Sequence, residues 1–390
     1  MRRRLAVHLA VWVLGAAVIR IAAVPAEVCP PVTADDLRTA IDEAVAWVDR
    51  NVQPDGRYLY GYDRGTGEVN PDYNTARHSG VLAALFQVHA ETGSADALRV
   101  ADLGVAHASK SLLHHDDWIA WHPGGNIQTG ANALLLAGLN IRRDATGDTR
   151  HDDLMLGIAR FLLQQHQPDG RIWASWSPAA ERPNEVLGPF ATGEASWALA
   201  LTDRIFPDEG FAEAAASTLD YLASAERSRI EGRIARLPDH WAAYTVSALP
   251  DRLRTAERVE YARDLAGFFG VRLRFESQRR GDGINLAVRW FPGPPAGVGT
   301  AGEGLGALWR LSASEPGLAD LRPNMEERLI CAGGFQTKRQ VSAAEAERYP
   351  DPGMARGAWF YRGYTQMDDQ QHVLSTLLSA LQVIESREAR

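Results

Sequence analysis

The stretch TARHSGVLAALFQVH, residues 75–89, is followed after six residues by DALRVADLGVAHASKSLL, residues 96–113. Beyond its opening turn the first segment is apolar nearly all round, and a helix apolar on every side is buried on every side. The second repeats its apolar residues at three- and four-residue spacing, with charges on the opposite face, as a helix covering a core does. The same two textures alternate along the chain. Ala/Leu-rich helices are expected at 75–89, 130–140, 193–205, 240–249, 302–311 and 368–384, and amphipathic ones at 34–51, 96–113, 152–166, 211–225, 255–276 and 318–330. Strict alternation predicts an all-α fold of six helical hairpins arranged in a ring, the buried set inside and the amphipathic set outside. That is a single (α/α)6 toroid spanning residues 27–390. Its period, about 50–70 residues, is longer than the common solenoid repeats and leaves long loops, which in compact domains usually carry function.

Composition agrees with one large globular body. Of 390 residues 45% are hydrophobic and 23% charged, with 35 Gly, 20 Pro and 2 Cys. These values exclude a disordered chain, a collagen-like chain and a small disulfide-stapled scaffold. Lys plus Arg number 41 against 49 Asp plus Glu, a net charge of −8, and no basic block follows residue 4. Nucleic acid is therefore not an expected partner.

The first 26 residues read separately. Arg2, Arg3 and Arg4 precede an apolar run from Leu5 to Val18, and Arg20 interrupts it before Ile21-Ala22-Ala23-Val24-Pro25-Ala26. The pattern is that of a secretory signal peptide ending near Ala26, or of a retained signal anchor tethering the chain to a membrane through residues 5–24. Cleavage would remove four Arg and no acid, taking the charge from −8 to −12. Either way the body is expected outside the cytoplasm, periplasmic or secreted. There Cys29 and Cys331 would pair and pin the mature N-terminus, or else remain two free thiols. Two cysteines exclude a thiolate zinc cluster.

A turn motif recurs. Gln53-Pro54-Asp55-Gly56-Arg57-Tyr58 returns as Gln167-Pro168-Asp169-Gly170-Arg171-Ile172-Trp173, with a looser copy at Arg280-Gly281-Asp282-Gly283-Ile284. Pro-Asp-Gly makes a tight turn, here leading into a short β-like segment, and scaffold turn chemistry accounts for it. Phe161-Leu162, Gln167, Gly170 and Trp173 also resemble the Q-W repeat of triterpene cyclases.

In a ring whose inner helices share one polarity, their N-terminal ends meet at one mouth. The six starts supply Asp72, Tyr73 and Asn74 with Arg77 and His78; then Asn126, Gln128 and Thr129; then Thr192, Gly193 and Glu194. Asp239, His240 and Trp241 follow, then Thr300 to Glu303, and last Gln366, Asp368 and Asp369 with Gln371 and His372. Singly these are ordinary helix caps and first-turn acids. Together they bring three His and several carboxyls to one place, more than capping needs. Trp118, Trp121, Trp173, Trp176, Trp241, Trp290, Trp359, Phe360, Tyr361 and Tyr364 lie near the same loops. Such rings suit stacking on sugars or on an isoprenoid chain, or simple loop packing.

The alternation and these starts resemble the six-hairpin glycosidase-like superfamily. Pro71 to Gly80, with Tyr73-Asn74, Arg77-His78 and Gly80, is similar to the Tyr-Asn-x-x-Arg-His-x-Gly opening of a group of bacterial proteins of that class. Gly193-Glu194-Ala195, Asp239-His240-Trp241, Gly302-Glu303-Gly304 and Gln371-His372 fall where the group also carries motifs. The resemblance implies the toroid and a polysaccharide-directed site.

Glycoside hydrolysis needs two carboxyl groups, one protonated and one acting as nucleophile or base. The expected pair comes from Glu194, Glu303 and Asp369, with Asp368 beside them and His78, His240 and Arg77 tuning or orienting. Asp72, Tyr73, Asn74, Trp121, Gln128, Trp173, Trp241, Trp359, Tyr361, Gln371 and His372 are expected to bind the polysaccharide or oligosaccharide substrate. A uronate lyase or epimerase would use the same mouth with His78, His240 or Tyr73 as base and Arg77 as the cation. A class II terpene cyclase-like enzyme is a further alternative, since Gln366-Met367-Asp368-Asp369 resembles an Asp-x-Asp-Asp acid with Gln in its first place. A non-catalytic glycan-binding protein would need only the aromatics. The His114-His115-Asp116-Asp117 and His122 cluster reads as a solvated loop, so no metal and no cofactor is expected.

Overall fold

The computed structural model describes residues 2–20, 26–231, 239–279 and 291–390. The third Pro-Asp-Gly-like copy, Trp290, Met1 and residues 21–25 lie outside the described residues. A helix, Arg2–Val18, carries the N-terminal apolar run with its side chains exposed, Trp12 at 79%. Among the described residues no helix is long and apolar enough to cross a membrane.

Twelve helices form the ring, numbered in chain order so that odd ones are outer and even ones inner. The outer set is α1 (Ala34–Asn51), α3 (Ala95–Ala108), α5 (Asp152–Gln165), α7 (Phe211–Ala223), α9 (Ala256–Ser277) and α11 (Arg322–Arg339). The inner set is α2 (Thr75–Thr92), α4 (Thr129–Thr146), α6 (Ala191–Asp203), α8 (His240–Ala248), α10 (Pro295–Leu311) and α12 (Met367–Glu388). Each inner helix packs on the next, and α12 closes on α2. Each outer helix packs on the inner helix before it, α9 and α11 more extensively still on the inner helix after them, and α1 covers α12, so the first and last ring helices make the sixth hairpin. The burial texture explains the sorting. All thirteen residues of α6 are buried, whereas α1 buries only one face.

Local chemistry sets the ends. Thr33 and Asp36 form a capping box at α1, and the Asn74 side chain accepts the Arg77 N–H at 2.9 Å to start α2. Gly93 and Gly147 end α2 and α4 with φ of 71° and 70°, giving tight turns into the next outer helix. The long loops all lie at the other end, where short strands tie neighbouring sectors. β1 (Gly61–Asp63) lies between β2 (Val69–Asn70) and β8 (Tyr364–Gln366), all antiparallel, with Gly61 opposite Gln366, so the first loop is stitched to the last. β3 (Leu112–His115) pairs β4 (Trp118–Trp121), and β6 (Ser175–Ser177) lies between β5 (Ile127–Gln128) and β7 (Arg182–Asn184).

The two described Pro-Asp-Gly turns serve the scaffold. Gly56 and Gly170 have φ of 91° and 85°, and a Cβ on either would stand 2.3 Å from a carbonyl oxygen, of Leu103 on α3 and of Ser217 on α7. Cys29 and Cys331 form a disulfide that ties the segment before α1 to α11.

Several boundaries differ from expectation: the inner helix expected over 130–140 runs on to Thr146, the outer one expected over 318–330 spans Arg322–Arg339, and two further differences bear on the site. The segment expected to start at residue 302 begins at Pro295, so Glu303 stands about two turns inside α10 rather than at its mouth. The outer helix expected over 96–113 stops at Ala108, and Leu112 onward turns into β3.

Candidate active site

At the loop end of the ring a cavity of about 600 Å³ opens between the inner-helix starts. Arg77 of α2, Glu194 of α6, His240 and Trp241 of α8, and Asp368, Gln371 and His372 of α12 line it, together with Asp239, Gly297 and Thr300. Asn74 lies at its edge. Glycines on the inner helices make room for polar side chains inside the bore. A Cβ on Gly80 would stand 1.9 Å from Gln371 Oε1, and one on Gly130 would stand 2.0 Å from Glu194 Oε2.

Below the mouth a buried acid–base cluster connects three inner helices. Glu303 Oε2 is 2.6 Å from His372 Nδ1 and 3.8 Å from His240 Nε2, and Tyr244 donates its hydroxyl to Glu303 Oε1 at 3.3 Å. The imidazole rings of His240 and His372 meet edge to face at 5.2 Å. Their environments drive them apart. Burial disfavours charge on both. At His372 the charge and hydrogen bond of Glu303, with Asp368 and Asp369, outweigh burial and raise the pKa. At His240 burial, helped by His372 and Arg272, holds the pKa well below the ordinary histidine value. His240 Nε2 is buried without a hydrogen-bond partner among the described residues.

Glu194, Arg77 and Arg227 set the rest of the field. Burial, with Asp239 and Asp368 adding repulsion, raises the Glu194 pKa to about 8, so its carboxyl is protonated at neutral pH. Arg77 donates from Nε to Asp368 Oδ2 at 2.8 Å and from Nη1 to Tyr60 Oη and Gln366 Oε1, both at 2.7 Å. Arg227, buried, pairs with Glu231 at 3.0 Å and with Asp239 at 3.5 Å. Asp239 also caps α8 by accepting the Trp241 N–H at 3.0 Å. Arg272 reaches the cavity from outer helix α9, and Phe190 stands 56% exposed at its rim.

His240, Glu303 and His372 each offer one ligand atom, all within 4.8 Å of one another, a grouping that a divalent ion could use. Two donors bound to one tetrahedral zinc at 2.0–2.2 Å stand about 3.3 Å apart. The 2.6 Å His372–Glu303 contact is shorter, the length of a charge-assisted hydrogen bond. In this structure His372 and Glu303 are therefore hydrogen-bonded to each other.

Several expected site residues lie elsewhere. His78 is fully buried behind α2: its Nδ1 accepts from Tyr73 Oη at 2.6 Å, and its Nε2 donates to the Gly104 carbonyl at 3.1 Å. Burial lowers its pKa to about 3, so it is a neutral core group, and Tyr73 is spent on it and on the Tyr58 N–H. Trp121 packs against His78 and bonds Ser111, while Trp359 is fully buried and donates to the Gln336 carbonyl. Asp369 accepts the Ala296 and Gln366 N–H groups at 3.0 and 3.2 Å, closing the cap of α12. Burial raises its pKa to about 6, but both oxygens are engaged by backbone. Asp72 and Gln128 are exposed, Trp173 carries Arg171 over its ring, and Tyr361 turns back on Tyr364, all away from the cavity lining. The cavity thus gathers Glu194, His240, His372, Arg77, Asp368, Gln371, Trp241 and Asn74, with Glu303 beneath.

Sequence reasoning missed Arg227, Arg272, Tyr244 and Phe190. Arg272 belongs to an amphipathic outer helix where arginine is ordinary, and Tyr244 looks like core. A one-turn offset from His240, four residues on, is the one signal that could have found Tyr244.

No model of a known protein family matches the chain, and no curated protein matches it. Solved structures do match it in shape. The GH76 α-mannanase of Bacteroides thetaiotaomicron superposes with a TM-score of 0.60 at 10% identity, over 90% of this chain and 97% of its own. A D-mannose isomerase gives 0.58 at 11%, over 90% and 97%. Cellobiose 2-epimerase of Spirochaeta thermophila gives 0.54 at 15%, over 90% and 98%. Ring order, layering and these superpositions agree that the chain has an (α/α)6 toroid fold.

Proposed function

We propose that the cavity is the active site of a carbohydrate-active enzyme that moves a proton at a sugar carbon beside a carbonyl, the reaction of an epimerase or isomerase. One observation carries this reading. Two imidazoles with opposite charge preferences share one buried carboxylate, and groups whose pKa values are pushed apart divide into acid and base. Neutral His240, with a free Nε2, removes the proton. The electron pair moves into the carbonyl, and the His372 imidazolium, held by Glu303, donates the proton that completes the enediol or re-forms the C–H bond. Arg77, Gln371 and Trp241 hold the sugar. The charged lining supports a sugar over an isoprenoid chain.

The test is incubation of the full chain with aldoses, disaccharides and uronate oligosaccharides in D2O. Carbon-bound deuterium is expected in recovered sugars. His240→Asn, His372→Asn and Glu303→Gln are each expected to slow exchange by about 10²–10⁴. No deuterium in any sugar would overturn the reading.

A specific observation favours a second reading, glycoside hydrolysis. Glu194 is protonated up to about pH 8 in the same cavity as Asp368, the carboxylate that Arg77 holds. Its mark would be new reducing ends, lost in Glu194→Gln, with no deuterium on carbon.

We also propose that residues 1–26 direct export and that 27–390 act outside the cytoplasm. The Cys29–Cys331 disulfide supports this, since such bonds persist in oxidising compartments. N-terminal sequencing of the mature protein checks it, with Glu27 expected first if the leader is removed.

A further inference from the structure

Three arginines line the cavity, and their partners differ. Arg77 is committed to Asp368, and Arg227 to Glu231 and Asp239. Arg272 makes no ion pair or hydrogen bond among the described residues. The nearest acid on its own helix, Glu276, is engaged by Arg279 at 3.3 Å, by Arg339 at 3.8 Å and by the Gly293 N–H. The guanidinium instead lies across the first turn of α10, where a Cβ on Gly297 would stand 2.9 Å from Nη2. That turn is itself open. The Ala296 N–H is taken by Asp369 and the Val298 N–H by the Pro294 carbonyl, while the Gly297 N–H has no acceptor among the described residues. In the same cavity the buried Nε2 of His240 is also unpartnered among the described residues, so an incoming group has a donor–acceptor site waiting beside the cation.

We propose that the cavity takes a sugar bearing a carboxylate, a uronate, with Arg272 and the open first turn of α10 holding that carboxylate. A free guanidinium beside a free N–H at a helix start matches a planar anion. The inference rests on the carbohydrate reading of the cavity and deepens its chemistry. In a uronate the C–H beside the carboxylate is the one at C5. When His240 takes that proton, the electron pair enters the carboxyl group and a second negative charge builds on its oxygens, where Arg272 stands. Return of a proton to C5 gives the epimer, and loss of the O4 substituent with the electron pair gives the unsaturated sugar. The positive end of α10 and Arg272 supply the cation that either outcome needs, a role Arg77 cannot fill while Asp368 holds it.

The experiment measures calorimetric binding of galacturonate and glucuronate oligosaccharides, and of the same oligosaccharides with their carboxyls reduced to alcohols, to the full chain. Wild type is expected to bind the acidic forms about tenfold or more tightly than the reduced forms, the size of one charge-assisted contact. Arg272→Gln should erase that preference while leaving binding of the reduced forms unchanged, and Arg272→Lys should restore part of it. Equal affinity for the two forms, no binding of the acidic forms, or a preference that survives Arg272→Gln would overturn the inference. Deuterium uptake at C5, read on the same samples, separates this from the proton-transfer reading. An Arg272-dependent preference with neither deuterium at C5 nor the ultraviolet absorbance of an unsaturated uronate upholds the substrate class and overturns proton transfer. Deuterium in reduced sugars with no preference does the reverse.

Discussion

Glu194 accepts no hydrogen bond from the described residues, and burial lifts its pKa from the ordinary 4.5 to about 8. Between those values the folded chain keeps a proton that the unfolded chain has lost. Folding then takes up a proton, so this group's contribution to stability is full below pH 4.5 and fades as pH rises towards 8. Glu194→Gln should flatten that decline: near-equal melting temperatures with wild type at pH 4 and a higher one for the variant at pH 8. Parallel curves from pH 4 to 9 would sink the assignment of a neutral buried carboxyl. At this scale the sequence was legible where a polar residue stood in the first two turns of a helix with nowhere but the bore to point, as with Glu194, His240 and His372. It failed at His78. Consecutive residues on a helix point about 100° apart, so the Arg77-His78 pair cannot send both side chains into one cavity. Arg77 found Asp368 and the mouth, and His78 went into the core with Tyr73 and Trp121.

Inner helices approach closely because glycines face their neighbours, and the sequence hid one boundary for that reason. Gly297, Gly299, Gly302 and Gly304 look like a loop to any propensity argument. In the ring they are contact points: a Cβ on Gly299 would stand 2.6 Å from His372, and one on Gly302 would stand 2.5 Å from Thr376. Tertiary packing overrides propensity, and α10 starts seven residues before the expected 302. Gly130 gives the sharper test. Replacing a helical Gly with Ala ordinarily stabilises a helix, by about 0.5–1 kcal/mol in its interior, and Gly130 is the second residue of α4. At Gly130 the added methyl would displace the Glu194 carboxyl. Gly130→Ala is expected to keep its helical circular dichroism, melt lower than wild type and shift the upper limb of the pH–activity profile. A higher melting temperature with an unchanged profile would show that Glu194 has room to move.

The whole ring was legible from alternation alone, because two textures of helix in strict order leave few ways to bury six apolar rods. What alternation could not give is how the circle closes. The closing hairpin joins α1 to α12, the two ends of the chain, so it lacks the short turn that holds the other five together. Two devices replace that turn. The β2–β1–β8 sheet stitches the first loop to the last, and the disulfide fastens the segment before α1 to α11 across 302 residues of sequence. A cross-link of that span restricts the unfolded chain strongly, and loss of such a bond typically costs about 2–5 kcal/mol. Cys331→Ala should therefore lower the melting temperature by several degrees. Cys29→Ala should match it, and the double variant should fall no further, since either change removes the same bond. Because α1 packs on α12 and α12 carries Asp368, Gln371 and His372, the loss should reach the cavity below the melting point. Amide exchange in α1 and α12 should quicken in the variants and in reduced wild type, while that in α4 and α6, on the far side of the ring, stays as it was. Uniform quickening around the ring would show that closure is held by packing alone and that the two chain ends do not open as a unit.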